Sequence, residues 1–293
     1  MEFLLSSTPL LLSGVFLLGL LFGSFLNVVM IRVPALLEYD WRCQCNELLA
    51  LESGKTAEVE ERPPGVIRGR SKCPKCGHQI KAIENIPLLS YLVLKGRCSA
   101  CRAPISLRYP VVEFLTGLLF VVTIWHFGPT VQGLTALALT AFLIVLTGID
   151  AEHQLLPDNF TLPLLWLGIL VNLFETHASL SDSVVGAIFG YMSLWLVYQL
   201  FKLVTGKEGM GYGDFKLLGA LGAWLGWQML PLIILLSSLV GALFGLTLMA
   251  TGKLQRDKPM PFGPFIAAAG WIALIWGQQI IDAYQSYGGG TFG

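Results

Sequence analysis

Two acidic residues, Asp150 in VLTGIDAEHQLLPD and Asp214 in GMGYGDFK, stand at the ends of long apolar runs. An ionisable group at such a depth is costly and is a candidate for chemistry by default. Asp150 closes a run, so a helix there sets the negative end of its dipole against the charge, and nothing local requires an acid. Asp214 opens a run behind Gly209, Gly211 and Gly213. A helix N-cap is its alternative use. Two carboxylates at one depth between helices share a proton, because like charges at close range cannot both ionise. The charged member takes a proton from water while the protonated member polarises a peptide carbonyl. That is aspartic peptide hydrolysis, with no metal and no covalent intermediate at the site. The helix dipoles favour charge on Asp214 as resting base and a proton on Asp150 as resting acid. The glycines let a substrate backbone or a partner helix come close to Asp214.

All six cysteines fall between residues 43 and 101. Four form two pairs, Cys73 and Cys76 in CPKC and Cys98 and Cys101 in CSAC, with twenty-one residues between the pairs. Two C-x2-C knuckles at this separation bring four thiolates to one tetrahedral centre, the zinc-ribbon arrangement; reduced or redox-active thiols are the other use. Four sulfur ligands leave no open position, so a Zn2+ ion there is structural and staples a loop too short to build much core. His78 is expected as a solvated knuckle residue. Cys43 and Cys45 lack a matching pair and are expected as an incidental pair of buried thiols. Residues 46–70 are polar and charged and read as an exposed insert.

Such groups must be positioned by membrane helices. Of the 293 residues, 54% are hydrophobic and 13% charged, about half the charged share of soluble domains, and the mean hydropathy is +0.67. The expected fold is an all-α polytopic membrane protein of about eight transmembrane helices with a zinc-ribbon-like cytoplasmic loop. The spans lie near 10–31, 110–127, 131–149, 159–175, 182–204, 215–228, 229–251 and 262–282. The sixth is short, either tilted or paired with the seventh as a hairpin through Trp227–Pro231, and a count of seven spans is the alternative. The first span has no cation before it and no evident cleavage site after it, so it reads as a retained helix. The domains expected are 1–31, the first transmembrane helix; 32–108, the zinc-binding loop; and 109–293, the membrane core. Thirteen of the nineteen Lys and Arg lie in 32–108, and the others are Lys202, Lys207, Lys216, Lys253, Arg256 and Lys258. Eight spans put all of them on one side, which the positive-inside rule makes cytoplasmic, with both termini on the opposite face. No nucleic-acid partner is expected; lipid is.

The remaining acids divide by place. Glu2, Glu175, Asp182 and Asp282 lie at outer ends of spans, and Glu208 and Asp257 in polar loops. Asp158, in LLPDNFTLP, is expected to cap a helix. Glu113, in YPVVEF, falls near the first turn of the second span, either as a charge favoured by the dipole or as the partner of a cation. Two other functions fit membrane carboxylates: a proton- or ion-coupled transporter and a non-catalytic assembly protein. No inverted repeat supports the first, and the cysteine loop has no part in it.

The sequence resembles the bacterial type IV prepilin peptidases, membrane aspartyl proteases of the GxGD type, over nearly its whole length. The resemblance is carried by GSFLNVVMIRVP at 23–34, CPKCGH and GRCSAC, NIPLLSYL at 85–92, RYPVVE at 108–113, IDAEHQLLPD at 149–158, GMGYGDFK at 209–216 and PFGPFIAAAG at 261–270. It implies an inner-membrane enzyme that cuts the short basic leader from prepilins and type II secretion pseudopilins on the cytoplasmic side. It further implies N-methylation of the new terminal residue with S-adenosylmethionine. Asp150 and Asp214 take the place of the family's catalytic pair, and Cys73, Cys76, Cys98 and Cys101 that of its zinc ligands. Cys43, Cys45 and the charged insert depart from the pattern. No G-x-G-x-x-G marks a site for the methyl donor; Lys95 and Gly96 are the candidates nearest the second knuckle.

Overall fold

A computed structural model describes residues 8–53, 61–67, 69–252 and 260–289. Among these residues the chain is helical apart from turns and two isolated β-bridges. The principal helices are α1 (Thr8–Ser53), the short α2 (Leu89–Val93), α3 (Arg108–Phe127), α4 (Val131–His153), α5 (Asp158–Asn172), α6 (Leu180–Thr205), α7 (Tyr212–Leu225), α8 (Leu230–Ala250) and α9 (Gly263–Gly289). A helix occupies each of the eight expected positions. Six of them are long and apolar enough to cross a membrane. The helices α5 and α7, with 15 and 14 residues, fall short of the ~20 residues that a lone span needs. The expected Lys253–Lys258 cluster and both termini lie outside the described residues.

The first helix departs from expectation. It was expected to end at residue 31 and runs on to Ser53, through Pro34. No glycine occurs between Gly23 and Gly54, and the segment ALLEYDWRCQCNELLALES is rich in helix formers. The charges from Arg32 onward mark where the apolar run stops, which is not where helical hydrogen bonding must stop. Residues 46–53, read as part of an exposed insert, are the last turns of this helix.

The chain divides into two compact units, residues 1–122 and 123–293. In the first, α1 and α3 approach backbone to backbone. A Cβ on Gly19 would stand 2.7 Å from the Gly117 Cα, and one on Gly23 equally close to the Glu113 Cα. Small residues at such seams let membrane helices pack without intervening side chains. Arg32 reaches from α1 to the following loop and donates to the carbonyls of Gly65 (2.8 Å) and Gly69 (3.0 Å).

In the second unit α7 is buried on every side: all residues from Asp214 to Trp224 are buried except Lys216. It packs against α5, α6 and α9. A helix apolar all round is stable only when enclosed, and enclosure explains why about 21 Å of helix suffices here. Where α6 crosses it, Gly186 meets Gly222 with no room for a side chain on either. The far end of α7 is tied down by side chains. Asn172 Nδ2 donates to the carbonyls of Ala223 (2.9 Å) and Trp224 (3.0 Å), and Ser183 Oγ also donates to Ala223. Trp224 Nε1 donates to the Leu164 carbonyl at 2.8 Å. The bonds to Ala223 and Trp224 satisfy carbonyls that a helix end leaves without partners. Gly226, at φ +81°, then separates α7 from α8, so the sixth and seventh expected spans are distinct helices. The outer faces of α6 and α8 expose Leu196, Leu200, Leu203, Leu235, Leu239 and Phe244, surfaces suited to lipid rather than water.

Candidate functional site

Asp150 lies in the last turn of α4, which ends at Gln154 in the left-handed conformation. Its side chain is 5% exposed. The Gly263 N–H donates to Asp150 Oδ2 at 3.0 Å. Gly263 is the first residue of α9, where the helix still has free N–H groups. A Cβ there would sit 2.6 Å from the same oxygen, so any larger residue displaces the carboxylate or breaks the bond.

Asp214 is the third residue of α7, whose N-cap is Gly211; it does not itself cap the helix. It is 7% exposed and lies within electrostatic reach of Asp150. Leu156 fills the space beside both. A Cβ on Gly213 would stand 2.6 Å from the Leu156 Cβ, and one on Gly263 would stand 3.2 Å from its Cδ1. The two expected carboxylates thus share one buried neighbourhood, bounded by the ends of α4, α7 and α9. Tyr198, Tyr212 and Phe215 pack against one another with tilted and edge-on rings around the start of α7.

Asp158, expected as a helix cap, is instead the first residue of α5 with Pro157 as its N-cap. Its Oδ1 accepts from Lys216 Nζ at 2.6 Å. That ion pair ties the start of α5 to the first turns of α7, two residues beyond Asp214.

The first unit holds a further buried carboxylate. Glu113 is the sixth residue of α3, beyond the first turn where it was expected, and is 8% exposed. It accepts from the Leu88 N–H at 2.9 Å, with the Ser24 hydroxyl close by. Its donor is neutral, and no cation among the described residues pairs with it. Leu88 presents its N–H from φ +59°, a conformation that costs a non-glycine residue about 1–3 kcal/mol. Nearby Asn27 is 2% exposed and donates from Nδ2 to the carbonyls of Gly23 (3.2 Å) and Tyr109 (3.1 Å), while its Oδ1 has no partner.

The four expected cysteines converge. Their sulfur atoms all lie within 4.8 Å of one another, and Cys73 Sγ and Cys101 Sγ are 3.8 Å apart. A tetrahedral ion with metal–sulfur bonds of about 2.3 Å requires sulfurs roughly 3.8 Å apart, so the set fits such an ion. The knuckles repeat one backbone plan. Cys73 N donates to His78 O and Gly77 N to Cys73 O; Cys98 N donates to Ala103 O and Arg102 N to Cys98 O. Backbone N–H groups of Cys76 and Lys75 draw the Cys73 thiol down to about 6. Those of Cys101 and Ala100 lower Cys98 likewise. The His78 N–H favours a thiolate at Cys76, but Cys101, burial and Cys73 outweigh it and push that thiol up to about 12. Four crowded sulfurs cannot all carry charge without a cation among them.

His78 is not simply solvated: its Nε2 lies 3.3 Å from both Glu84 Oε2 and Ser99 Oγ. Glu84 also accepts from the Lys81 N–H at 2.8 Å, and that bond first, then Ser99 and His78, holds its carboxyl down at about 2. Cys43 and Cys45, expected to be buried, lie instead half-buried and exposed respectively on the polar extension of α1, outside the cluster of four.

Sequence reasoning missed Gly263, Leu156 and the Lys216–Asp158 pair. The Gly-Pro at 263–264 signals a helix start, but nothing in the sequence links it to an acid 113 residues earlier.

Residues 17–127 match the Bacterial Peptidase A24 N-terminal domain, and residues 137–246 match the Type IV leader peptidase family. The chain is 55% identical over 273 residues, 93% of each chain, to the prepilin leader peptidase/N-methyltransferase of Pseudomonas aeruginosa. It is 52% identical to the protein of that name from Stutzerimonas stutzeri over 286 residues, 98% of each chain. With the protein of that name from Aeromonas hydrophila, it shares 54% identity over 272 residues, 93% of each. No solved structure matches.

Proposed function

We propose, since this chain belongs to the type IV leader peptidase family, that Asp150 and Asp214 are the catalytic pair with which it cleaves the leader peptides of prepilins. The observation that carries the reading is a pair of buried carboxylates on separate helices with Leu156 as a common neighbour, one of them aimed by the Gly263 N–H. The pair holds one proton. The charged member draws a proton from a water while the protonated member donates to the scissile carbonyl oxygen; after attack, the proton taken from water passes to the departing amine. Helix-dipole reasoning gives the resting charge to Asp214. The Gly263 N–H adds a donor for charge on Asp150, so the resting proton belongs to the pair and not to one residue.

A prepilin fits this site because its leader is basic and is followed by an apolar helix. With that helix in the membrane, the scissile bond reaches the interface at which α4 ends and α7 begins. Pseudopilins of type II secretion share that construction. The enzyme sits in the inner membrane with its cysteine loop in the cytoplasm and both termini on the other face. Zn2+ bound by Cys73, Cys76, Cys98 and Cys101 supplies a structural crosslink and no open coordination position. The second activity transfers a methyl group from S-adenosylmethionine to the new N-terminus.

Incubating the purified protein with a prepilin and labelled S-adenosylmethionine tests both halves. The expected result is a peptide shortened by the leader mass and, separately, label on the mature fragment. Intact prepilin after incubation overturns the peptidase reading, and a shortened but unlabelled peptide overturns the methyl transfer.

A further inference from the structure

We propose that the buried carboxylate of Glu113 receives the α-ammonium group of the peptide freed by leader cleavage and takes the proton that this amine must lose before it is methylated. This rests on the methyl-transfer reading above.

An N-terminal amine is mostly an ammonium at neutral pH, with no free lone pair. It needs a base, and the carboxylates assigned to peptide cleavage lie in the region matched by the leader peptidase family. Among the described residues of the first unit, Glu113 is the only buried acid. The Leu88 N–H, which donates at 2.9 Å, holds it without neutralising it. A buried charge lacking a countercharge is unfavourable by itself and calls for a cation to complete it. A second observation points the same way. Asn27, 2% exposed, commits its amide N–H groups to two backbone carbonyls and leaves Oδ1 without a donor. Asn27 stands about one turn from Ser24 on α1, and its partner Tyr109 stands about one turn from Glu113 on α3. The spare acceptor and the carboxylate therefore belong to one α1–α3 seam. A carboxylate and an amide oxygen, with no cation of their own, complement a group that brings one positive charge and three N–H donors.

The reaction balances. Glu113 accepts a proton from the ammonium, which exposes the amine lone pair. That pair attacks the methyl carbon of the sulfonium donor. The N–C bond forms as the C–S bond breaks, and the electron pair of the broken bond stays on sulfur, which leaves as a neutral thioether. The product nitrogen carries the positive charge as an N-methylammonium, and the proton on Glu113 passes to water.

The test uses the full-length enzyme in detergent and a peptide with an apolar mature N-terminus beginning with phenylalanine, offered with a free or an acetylated amine and without methyl donor. Wild-type protein binds the free amine at least ~10-fold more tightly, as a charge-assisted hydrogen bond requires. Glu113→Gln binds the two alike, and Glu113→Asp keeps the preference. In turnover, Glu113→Gln loses methylation by about 100-fold, within the usual range for a general base, while leader cleavage continues and affinity for S-adenosylmethionine is kept. Asn27→Ala lowers methylation by about tenfold, the worth of one buried acceptor. A Glu113→Gln protein that still discriminates between the peptides overturns the proposal. So does one that loses the methyl donor instead, because the carboxylate then serves the donor's own amine. If Glu113→Gln fails to cleave, it has not folded, and Asn27→Ala decides: undiminished amine preference and methylation overturn the assignment. Wild-type protein that binds the free amine yet never methylates it refutes the methyl-transfer reading and leaves the amine site standing.

Discussion

The carboxylate site and the cysteine cluster are held by opposite means. Asp150 and Asp214 sit in a neighbourhood made by packing: a helix enclosed on all sides, a leucine wedged between two glycines, and a backbone N–H aimed at one oxygen. Its geometry needs no added ion. The cysteines sit on two short turns whose bonds are nearly all local, and their sulfurs crowd to distances that only a cation makes comfortable. The first arrangement concentrates precision on a few close contacts, so small steric changes should damage it out of proportion to their size. The second concentrates stability on one ion, so removing that ion should damage the loop and spare the carboxylate chemistry.

The sharpest way to break this contrast is to neutralise the pair. Asp150→Asn and Asp214→Asn each leave an isosteric, non-ionisable group, and each should reduce leader cleavage by at least ~10³-fold, at the upper part of the range for general acid–base residues. Both proteins should remain folded and in the membrane. Cleavage at the wild-type rate by either variant, measured with purified enzyme and prepilin, would remove the pair from the reaction.

Next in size is a single methyl group. Gly263→Ala places a Cβ 2.6 Å from Asp150 Oδ2. The carboxylate or the start of α9 must shift, and displacement of about 1 Å from a reacting group costs roughly 10² in rate. The loss should fall on kcat with KM little changed, because the substrate-binding surface is untouched. An equal loss in KM alone would mean that Gly263 shapes the substrate groove and not the carboxylate.

The cysteine loop should answer differently. Cys73→Ser and Cys98→Ser should each abolish stoichiometric metal on elemental analysis and make residues 69–107 sensitive to protease. Leader cleavage should stay within about threefold of wild type, since the packed site gains nothing from the ion. Unchanged metal content would exclude a four-sulfur centre, and a loss of cleavage as large as that of the aspartate variants would erase the distinction between the two regions.

Much of this was legible before any coordinates, and what was not has a physical reason. Apolar runs located a helix at each of the eight expected positions, six of them long and apolar enough to cross a membrane, because a bilayer demands continuous hydrophobic stretches. The same signal misplaced the end of α1, because it reports the edge of the apolar layer and is silent on where helical bonding stops. Cysteine spacing located the four-sulfur cluster, because knuckle turns are local. His78 was misjudged, since its partners Glu84 and Ser99 lie on other turns. Asp158 had the residue type and position of a helix cap, but Lys216, 58 residues away, claimed its oxygen. Gly263 shows the limit most clearly: its N–H is a backbone group, and a backbone donor leaves no mark in side-chain chemistry. What the sequence cannot carry, in each case, is a contact made between distant segments.

The smallest expected effect probes the far end of the enclosed helix. His177 follows α5 and packs against Phe127 and Trp224, with its Nε2 2.9 Å from Thr135 Oγ1. Its backbone N–H donates to Asn172 Oδ1, the same side chain that closes the end of α7. Burial pushes its imidazole from 6.5 down to about 4. Between those values the unfolded chain binds a proton that the folded one refuses, so stability rises with pH across this window. The contribution of neutral His177 is therefore complete above about 6.5 and is lost as pH falls toward 4. His177→Gln removes the titration while keeping a polar partner for Thr135. Melting temperatures of both proteins, taken in the same detergent from pH 7 to pH 4, should diverge at pH 7 and converge by a few degrees, roughly 2–4 °C, as the pH falls. Because Asp150 and Asp214 titrate alike in both proteins, they cancel from the difference. Parallel curves would show that the end of α7 is held without His177, by the bonds of Asn172, Ser183 and Trp224.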